Sequence, residues 1–264
     1  MPRLIPIRLA AACALALVLS LSLAASAVAK GVSAELRVVG KGGKVLTEQT
    51  LATGTTAIKT SPKANCFGAG TGGSGKSVTV RGATALGLLG QAARSTASLR
   101  PLLITDAFDF GLGICGVGSS KVGGKASWYL KVNHKGTTVS GDAVKLRPGD
   151  EVLWDLAPTY PYPNELALVA PERVESGVPF EVRVFSYDEK GKRKPVAGAK
   201  VSGASASAGA GAVTDASGQA TVALTAVGGV PQYETLRATH GKEIPSPAEP
   251  VYLCVAGACV QTTK

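Results

Sequence analysis

Residues 70–77 read GTGGSGKS and match the letters of a phosphate-binding loop. In such a loop, backbone amides and the N-terminus of the next helix converge on nucleotide phosphates. A buried strand must therefore precede the loop and a helix must follow it. Here the preceding stretch is rich in glycine and carries a cysteine, and residues 77–81 alternate like a strand. These surroundings argue against nucleotide binding despite the motif.

The sequence lacks the spacing patterns of the common hydrolases and metal sites. It has no G-x-S-x-G or H-E-x-x-H motif and no paired C-x-x-C spacings. His134 and His240 are its only histidines, and neither has further metal-ligating side chains at ligand spacing. We therefore predict no enzymatic activity, no metal and no cofactor. The remaining catalytic alternative is hydrolysis of glycosides by two carboxylates, which can be far apart in sequence.

The N-terminal segment has the organisation of an export signal. Arg3 and Arg8 supply positive charge, residues 9–23 form an apolar stretch, and residues 27–29 (AVA) offer small side chains for cleavage. We therefore predict a signal peptide at residues 1–29 and an exported protein. A retained membrane anchor is the alternative reading of the apolar stretch. No second apolar run of that length follows, so no anchor is expected after cleavage.

Cleavage of the signal would remove Cys13 and leave four cysteines, Cys66, Cys115, Cys254 and Cys259. An even number of cysteines in an oxidising compartment predicts paired disulfides. The short spacing of Cys254 and Cys259 favours a local bridge across a two-residue turn at residues 256–257, with Cα atoms about 4.5 Å apart. That bridge leaves Cys66 to pair with Cys115, which would close a loop worth about 4 kcal/mol on the chain-entropy model.

Residues 127–133 alternate as a strand with two distinct faces. Trp128 shares one side with Leu130 and Val132, so packing in a core is the ordinary role for it and for Trp154. The opposite side carries the preferred candidates for a binding face, Tyr129, Lys131 and Asn133. Ring stacking by the tryptophans is the alternative role. The candidate ligand-binding residues are therefore Tyr129, Lys131, Asn133, Trp128 and Trp154.

Composition and turn spacing predict a mainly β protein. The sequence is 45% hydrophobic and only 17% charged, with 33 glycines and 15 prolines. A proline-rich linker at residues 158–164 divides a domain at residues 30–157 from a second domain at residues 165–264. The second domain has about seven short strands separated by regular turns, as an immunoglobulin-like β-sandwich requires. The first domain combines strands with one helix, which Thr84 is expected to cap.

Within the first domain, six segments have the composition or alternation of strands, at residues 34–39, 44–51, 77–81, 102–104, 108–115 and 127–133. The helix that follows Thr84 is expected to turn one apolar face to the core, made of Leu86, Leu89, Ala92 and Ala93. A final hairpin is expected between residues 144–146 and 151–156, around a turn at Pro148 and Gly149.

Two segments of the first domain, SWYLKVN at residues 127–133 and LRPGDEVLW at residues 146–154, carry a family resemblance. Over about residues 34–156 the chain resembles the secreted bacterial domain of unknown function that is related to the transcobalamin C-terminal domain. The resemblance implies a small α+β, β-grasp-like fold. In the vertebrate relatives, this domain forms one wall of a corrinoid-binding cleft. The chain departs from the family by reading NHKG at residues 133–136, where Asn-Gly is usual.

Residues 165–256 resemble bacterial immunoglobulin-like or carboxypeptidase-regulatory-like modules. The motifs that carry this resemblance are PVAGA at residues 195–199 and TDASGQA at residues 214–220. Such modules usually act as spacers or adhesive stalks. The resemblance therefore implies that the second domain holds the first away from a surface.

These features together predict an exported or envelope-associated protein that binds or displays without catalysis. The expected partner is a cell-envelope polymer or a small planar ligand, and an extracellular corrinoid-like binding protein is the alternative. The formal net charge of +10 allows an anionic partner, but solubility is the preferred explanation. The basic residues are scattered along the chain, so we expect no nucleic-acid binding.

Overall fold

The protein's computed structural model describes residues 31–203, 211–255 and 259. The predicted signal peptide lies outside these residues. From Gly31 onward the chain forms one compact unit. This unit consists mainly of β-strands, with one α-helix in the described part, which confirms the predicted mainly β class. The finer β-grasp-like and immunoglobulin-like assignments stay predictions.

Residues 31–157, called the first half below, contain ten strands and the helix. The strands are β1 (Val32–Val39), β2 (Val45–Thr53), β3 (Thr56–Lys59), β4 (Ser77–Val80), β5 (Leu102–Thr105), β6 (Gly113–Val117), β7 (Ser120–Lys121), β8 (Ser127–Val132), β9 (Lys135–Gly136) and β10 (Glu151–Ala157). The helix α1 spans Ala85–Ser95, and short 3₁₀ segments lie at Lys41–Gly43 and Ala97–Leu99. The segment predicted as a strand at residues 108–115 becomes one only from Gly113.

The helix α1 begins where its cap was predicted. The Thr84 hydroxyl accepts a hydrogen bond from the Gly87 amide at 3.0 Å and so pairs one of the amides that the first turn leaves free. The four predicted core residues of α1 are buried, and Leu88 is buried as well. Gly90 lies against β3, where an added Cβ would meet the Ile58 side chain at 3.1 Å. The helix is therefore enclosed on more sides than one apolar stripe predicts.

The first half is organised around a central sheet with the strand order β2-β1-β10-β8-β9. Strands β1 and β10 pair in parallel, and the other pairs are antiparallel. The expected hairpin between residues 144–146 and β10 is wrong, because β10 pairs with β1 and β8 instead. Residues 144–146 bond to the start of the helix: the Val144 carbonyl accepts from the Ala85 amide at 3.1 Å, and the Leu146 amide donates to the Ala83 carbonyl at 3.0 Å.

Residues 165–255, called the second half below, contain nine strands in their described part. They are β11 (Glu165–Val169), β12 (Arg173–Glu175), β13 (Phe180–Tyr187), β14 (Arg193–Pro195), β15 (Lys200–Gly203), β16 (Ala212–Val213), β17 (Gln219–Val222), β18 (Gln232–Thr239) and β19 (Glu249–Cys254). A third 3₁₀ segment lies at Val227–Gly229. Strands were predicted at residues 165–170, 180–187, 199–201, 212–214, 220–226, 232–239 and 251–255. Each overlaps one of the observed strands, although β17 ends at Val222, and β12 and β14 were not predicted.

The strands of the second half form two sheets that share one hydrophobic core. One sheet joins β11, β13 and β14, with β17 also paired to β13, and the other has the order β12-β19-β18-β15-β16. Leu168 and Val184 of the first sheet belong to the same buried cluster as Leu236 and Leu253 of the second. This shared core explains the period-two apolar pattern of the strands.

Both predicted disulfides are present. Cys66 and Cys115 are bonded with their Cα atoms 5.5 Å apart, and Cys254 and Cys259 are bonded with theirs 5.4 Å apart. The second separation is wider than the value expected for a tight hairpin, and the predicted turn at residues 256–257 lies outside the described residues. The first bridge joins the long loop before β4 to β6.

Candidate functional site

The central sheet buries both of its faces. Alternate residues of β1, β8 and β10, such as Val38, Leu130 and Trp154, lie in the core of the first half with α1. The residues between them face the second half, and most are charged or polar. Val39 and Leu153 on this face share a small apolar cluster with Ile244 of the second half. The junction between the two halves is therefore a covered sheet face.

The two tryptophans lie on the core side of the central sheet. Trp154 is 4% exposed, and its indole Nε1 donates to the Ala85 carbonyl at 3.4 Å. Trp128 is partly buried against the same core. Both therefore pack as the alternation of β8 and β10 indicates.

The predicted polar binding face is occupied by the second half of the chain. The Tyr129 hydroxyl donates to Glu189 at 3.0 Å, and its ring stacks on Tyr162 with centroids 3.8 Å apart. Burial, followed by the bond to Glu189, raises the pKa of Tyr129. The Lys131 ammonium donates to the Tyr187 carbonyl at 3.3 Å. Ligand binding by this face stays a prediction, with at least these two side chains engaged within the chain.

Asn133 closes the turn between β8 and β9. Its side-chain amide donates to Asp150 at 2.9 Å, and its side-chain oxygen accepts from the Glu151 amide at 2.9 Å. Asn133 and His134 both have positive φ, at 50° and 66°. The turn thus binds the start of β10 and directs His134 toward the second half.

Five charged or titratable side chains meet at the junction, and we call them the charge cluster: Arg37, Lys131, His134, Asp155 and Glu165. The Arg37 guanidinium forms an ion pair with Glu165 and also donates to the Pro245 carbonyl. His134 Nδ1 lies 3.2 Å from Glu165 Oε2, and the His134 ring stacks on Tyr187 with centroids 3.8 Å apart. Lys131 Nζ lies 4.0 Å from the same Glu165 oxygen.

Burial governs the protonation of the charge cluster. It lowers the pKa of Lys131 and of Arg37, with Glu165 opposing both changes. Burial raises the pKa of Asp155 to about 7, with the Arg37 and Lys131 charges opposing. Burial acts in the same direction on Glu165, but contact with His134 and the charge of Arg37 hold its pKa below the ordinary value. The cluster therefore contains one firm ion pair, Arg37 with Glu165, and one carboxyl that titrates near neutral pH.

A pocket of about 660 Å³ opens at one end of the junction. We call it the lysine-rimmed pocket. Its apolar lining comes from both halves and from the linker: Ala126, Leu156, Pro158, Pro163, Ile244 and Pro245. Its charged lining consists of Lys41, Lys121 and Lys242, which are exposed, together with Asp155, His240 and Glu243. Asp155 is 5% exposed, and its Oδ2 has no hydrogen-bond partner among the described residues.

One wall of this pocket is fixed by a short hydrogen-bond chain. His240 Nδ1 lies 2.9 Å from Glu243 Oε2, and Glu243 Oε1 accepts from the Ser186 hydroxyl at 2.5 Å. The Ile244 amide also donates to the Asn164 carbonyl at 2.8 Å. These bonds join the loop after β18 to β13 and to the linker, so this wall is held by contacts within the chain.

A second cleft of about 650 Å³ lies at the start of β10 and is lined by Arg37 and by several glutamates, Glu35, Glu48, Glu151, Glu165 and Glu249. Glu48 is paired with Arg237 across the junction, at 2.6 and 3.0 Å. Glu165 is held by Arg37. Two of these five glutamates, Glu48 and Glu165, therefore form ion pairs that join the two halves.

The loop at residues 70–77 has a backbone amide that is already bonded within the chain. The Ser74 amide donates to Asp106 at 2.6 Å, so a carboxylate already occupies a donor that a phosphate would need. The segment after the loop is the strand β4, as predicted, and not a helix. Asp106 is the feature that the motif alone does not reveal.

Sequence reasoning found the faces of β8 but missed Arg37, Asp155, Glu165 and the pocket. In the described ranges, no group of three or more histidine, cysteine or acidic side chains is placed to hold a metal ion. No helix in those ranges is both long and apolar enough to cross a membrane. Comparisons with protein-family models, curated proteins and solved structures find no match to this chain. The transcobalamin-like and immunoglobulin-like resemblances therefore stay predictions.

Proposed function

We propose that this is an exported binding protein that holds a small ligand in the lysine-rimmed pocket without transforming it. The observation that carries the proposal is the pocket itself: a mainly apolar cavity of about 660 Å³, formed jointly by the two halves. Small-molecule sites are concave and largely apolar, with a few polar groups, and span roughly 300–1,000 Å³. They are also frequent where two structural units meet.

The contacts around the pocket suit binding better than catalysis. His240 and Glu243 are bonded to each other, and Glu243 also accepts from Ser186. Asp155 lies on the pocket wall at 5% exposure, and the other acid of the described lining is Glu243, which is already bonded. A general acid or base must reach a reacting group, and a nucleophile needs an adjacent base. We therefore propose retention of an unchanged ligand.

Export is supported by the two disulfides, since disulfides persist in oxidising compartments. The predicted signal peptide at residues 1–29 supports the same proposal from the sequence. The two halves would then act together, with each supplying part of the recognition site. Display on an envelope polymer and corrinoid binding stay predictions, because no residue that lines the pocket favours either ligand.

Filling the pocket should abolish binding. Gly123 lines the pocket, has an ordinary backbone conformation, and an added Cβ there meets no atom within 4 Å. We expect Gly123→Trp to fold normally and to exclude the neutral fluorophore N-phenyl-1-naphthylamine, weakening its binding at least tenfold because the indole takes the cavity. The measurement is a fluorescence titration with excitation beyond tryptophan absorption.

Gly54→Trp provides the matched control. Gly54 also has open space around its added Cβ, but it lies between β2 and β3, away from the pocket lining. The control should bind the fluorophore as the natural sequence does. Equal binding by both variants would overturn the proposed function.

A further inference from the structure

Three exposed lysines from three separate segments line the pocket. Lys41 follows β1, Lys121 ends β7, and Lys242 follows β18, and all three are exposed. None of the three forms an ion pair with a described residue, whereas the buried Arg37 does. The rim therefore concentrates positive charge that the surrounding chain leaves unneutralised.

The acidic groups of the pocket oppose only part of this charge. Glu243 is bonded to His240 and Ser186 on the pocket wall. Asp155 is buried, and burial raises its pKa to about 7, so a substantial fraction of this carboxyl is neutral near pH 7. A ligand in the pocket thus meets three ammonium groups, opposed by one carboxylate, Glu243, and by a partly protonated one, Asp155.

We infer that the ligand of the lysine-rimmed pocket is a small organic anion with an apolar body. The carboxylate, sulfonate or phosphate would lie at the lysines, and the body would pack on Leu156, Pro158 and Ile244 in the cavity. This inference rests on the proposed function and names its ligand class. Ammonium groups attract anions as point charges, and desolvation of an apolar body adds roughly 25 cal/mol per Å² buried.

Two fluorophores that differ in one charge test this directly. The probes are 8-anilino-1-naphthalenesulfonate, an anion, and N-phenyl-1-naphthylamine, which has the same rings without the sulfonate. We expect the combined variant Lys41→Gln, Lys121→Gln, Lys242→Gln to weaken binding of the sulfonate about tenfold in about 0.1 M salt, as three exposed charge contacts allow. Binding of the neutral probe should change less than twofold.

A second triple variant controls for the general charge of the protein. Lys59→Gln, Lys76→Gln, Lys190→Gln removes the same charge from exposed positions outside the pocket. It should leave both affinities within twofold, because exposed charges beyond a Debye length of about 10 Å at 0.1 M salt are largely screened. Equal loss of sulfonate binding in the two triple variants would overturn the inference.

Failure of the inference can be distinguished from failure of the proposed function. If Gly123→Trp excludes the neutral probe but the rim lysines do not affect the sulfonate, the pocket binds ligands and the anionic class is wrong. If Gly123→Trp affects neither probe, the pocket is not a binding site and both proposals fall. Sulfonate binding that depends on Gly123 and on the rim lysines supports both.

Discussion

Replacement of Arg37 by methionine is expected to lower the free energy of unfolding by about 3–5 kcal/mol. Arg37 is 7% exposed and pairs with Glu165, which is 3% exposed. Removing the guanidinium leaves a buried carboxylate whose remaining neighbours are His134 at 3.2 Å and Lys131 at 4.0 Å. Breaking a buried pair from one side costs much more than the pair itself contributes. Urea unfolding at pH 7, followed by circular dichroism, measures the change.

Two further variants make this prediction specific. Arg237→Met removes a similar side chain that also joins the halves, but its pair with Glu48 is partly exposed, at 27% and 21%. We expect a loss of about 1 kcal/mol or less there, as for exposed ion pairs. The double variant Arg37→Met, Glu165→Leu should lose less stability than Arg37→Met alone, because both members of the ion pair are removed together, although Lys131 then loses its carboxylate neighbour at 4.0 Å. A loss below 1 kcal/mol for Arg37→Met would contradict the role given to the charge cluster.

Replacement of Asp155 by asparagine is expected to stabilise the protein at pH 8 by up to about 4 kcal/mol and to have little effect at pH 4. Burial raises the pKa of Asp155 to about 7 from an ordinary value of 3.8. Between these values the folded state keeps the proton that the unfolded state has lost. The contribution of Asp155 to the free energy of unfolding is therefore greatest below pH 4. It falls as the pH rises from 4 to 7 and stays constant above pH 7. Asparagine resembles the protonated carboxyl but does not titrate, so the variant does not lose stability as the pH rises from 4 to 7.

The measurement is the difference in unfolding free energy between variant and natural sequence at several pH values from 4 to 8. The charged groups that face Asp155 are Arg37, Lys131 and Glu165, and their effects are common to both proteins and cancel in the difference to first order. His240 and Glu243 share the pocket lining with Asp155. Asp109→Asn, at an exposed position, should give a difference close to zero throughout. If the difference for Asp155→Asn does not change with pH, the pKa of Asp155 is not raised in the folded protein, and the prediction is wrong.

Local signals predicted much of the fold. Thr84 and the apolar spacing after it placed α1, and the cysteine spacing gave both disulfides. Aspartates hold two turns of the second half: Asp188 accepts from the Lys190 amide at 2.9 Å in the β13–β14 hairpin, and Asp215 accepts from the Ser217 amide at 2.8 Å between β16 and β17. These features depend on residues close in sequence, and their physical causes act over the same short range.

Long-range pairing was not predicted. The parallel pairing of β1 with β10 joins Glu35 to Glu151 in register, and no turn chemistry connects such distant segments. The strand β10 did carry a hint, because Val152, Leu153 and Trp154 are apolar at consecutive positions. Such a run indicates a strand that is buried on both faces. The turn residues Pro148 and Gly149 instead suggested a terminal hairpin for this segment.

The candidate site was the hardest part to predict for the same reason. Alternation separated the two faces of β8 correctly, but it does not say which partner covers the polar face. Arg37 and Glu165 are 128 positions apart, and their pairing depends on the docking of the two halves. The pocket likewise combines Lys41, Lys121 and Lys242 from distant segments. Their grouping exists only in three dimensions.

A nuclear magnetic resonance titration tests the central claim most directly. Backbone amides of the ¹⁵N-labelled, disulfide-bonded protein would be followed while 8-anilino-1-naphthalenesulfonate is added. If the lysine-rimmed pocket is the recognition site, the largest and saturable shifts will occur at Gly42, Gly123 and Gly241, which line it. Shifts confined to another surface, such as the glutamate-lined cleft around Glu35 and Glu151, would contradict the claim.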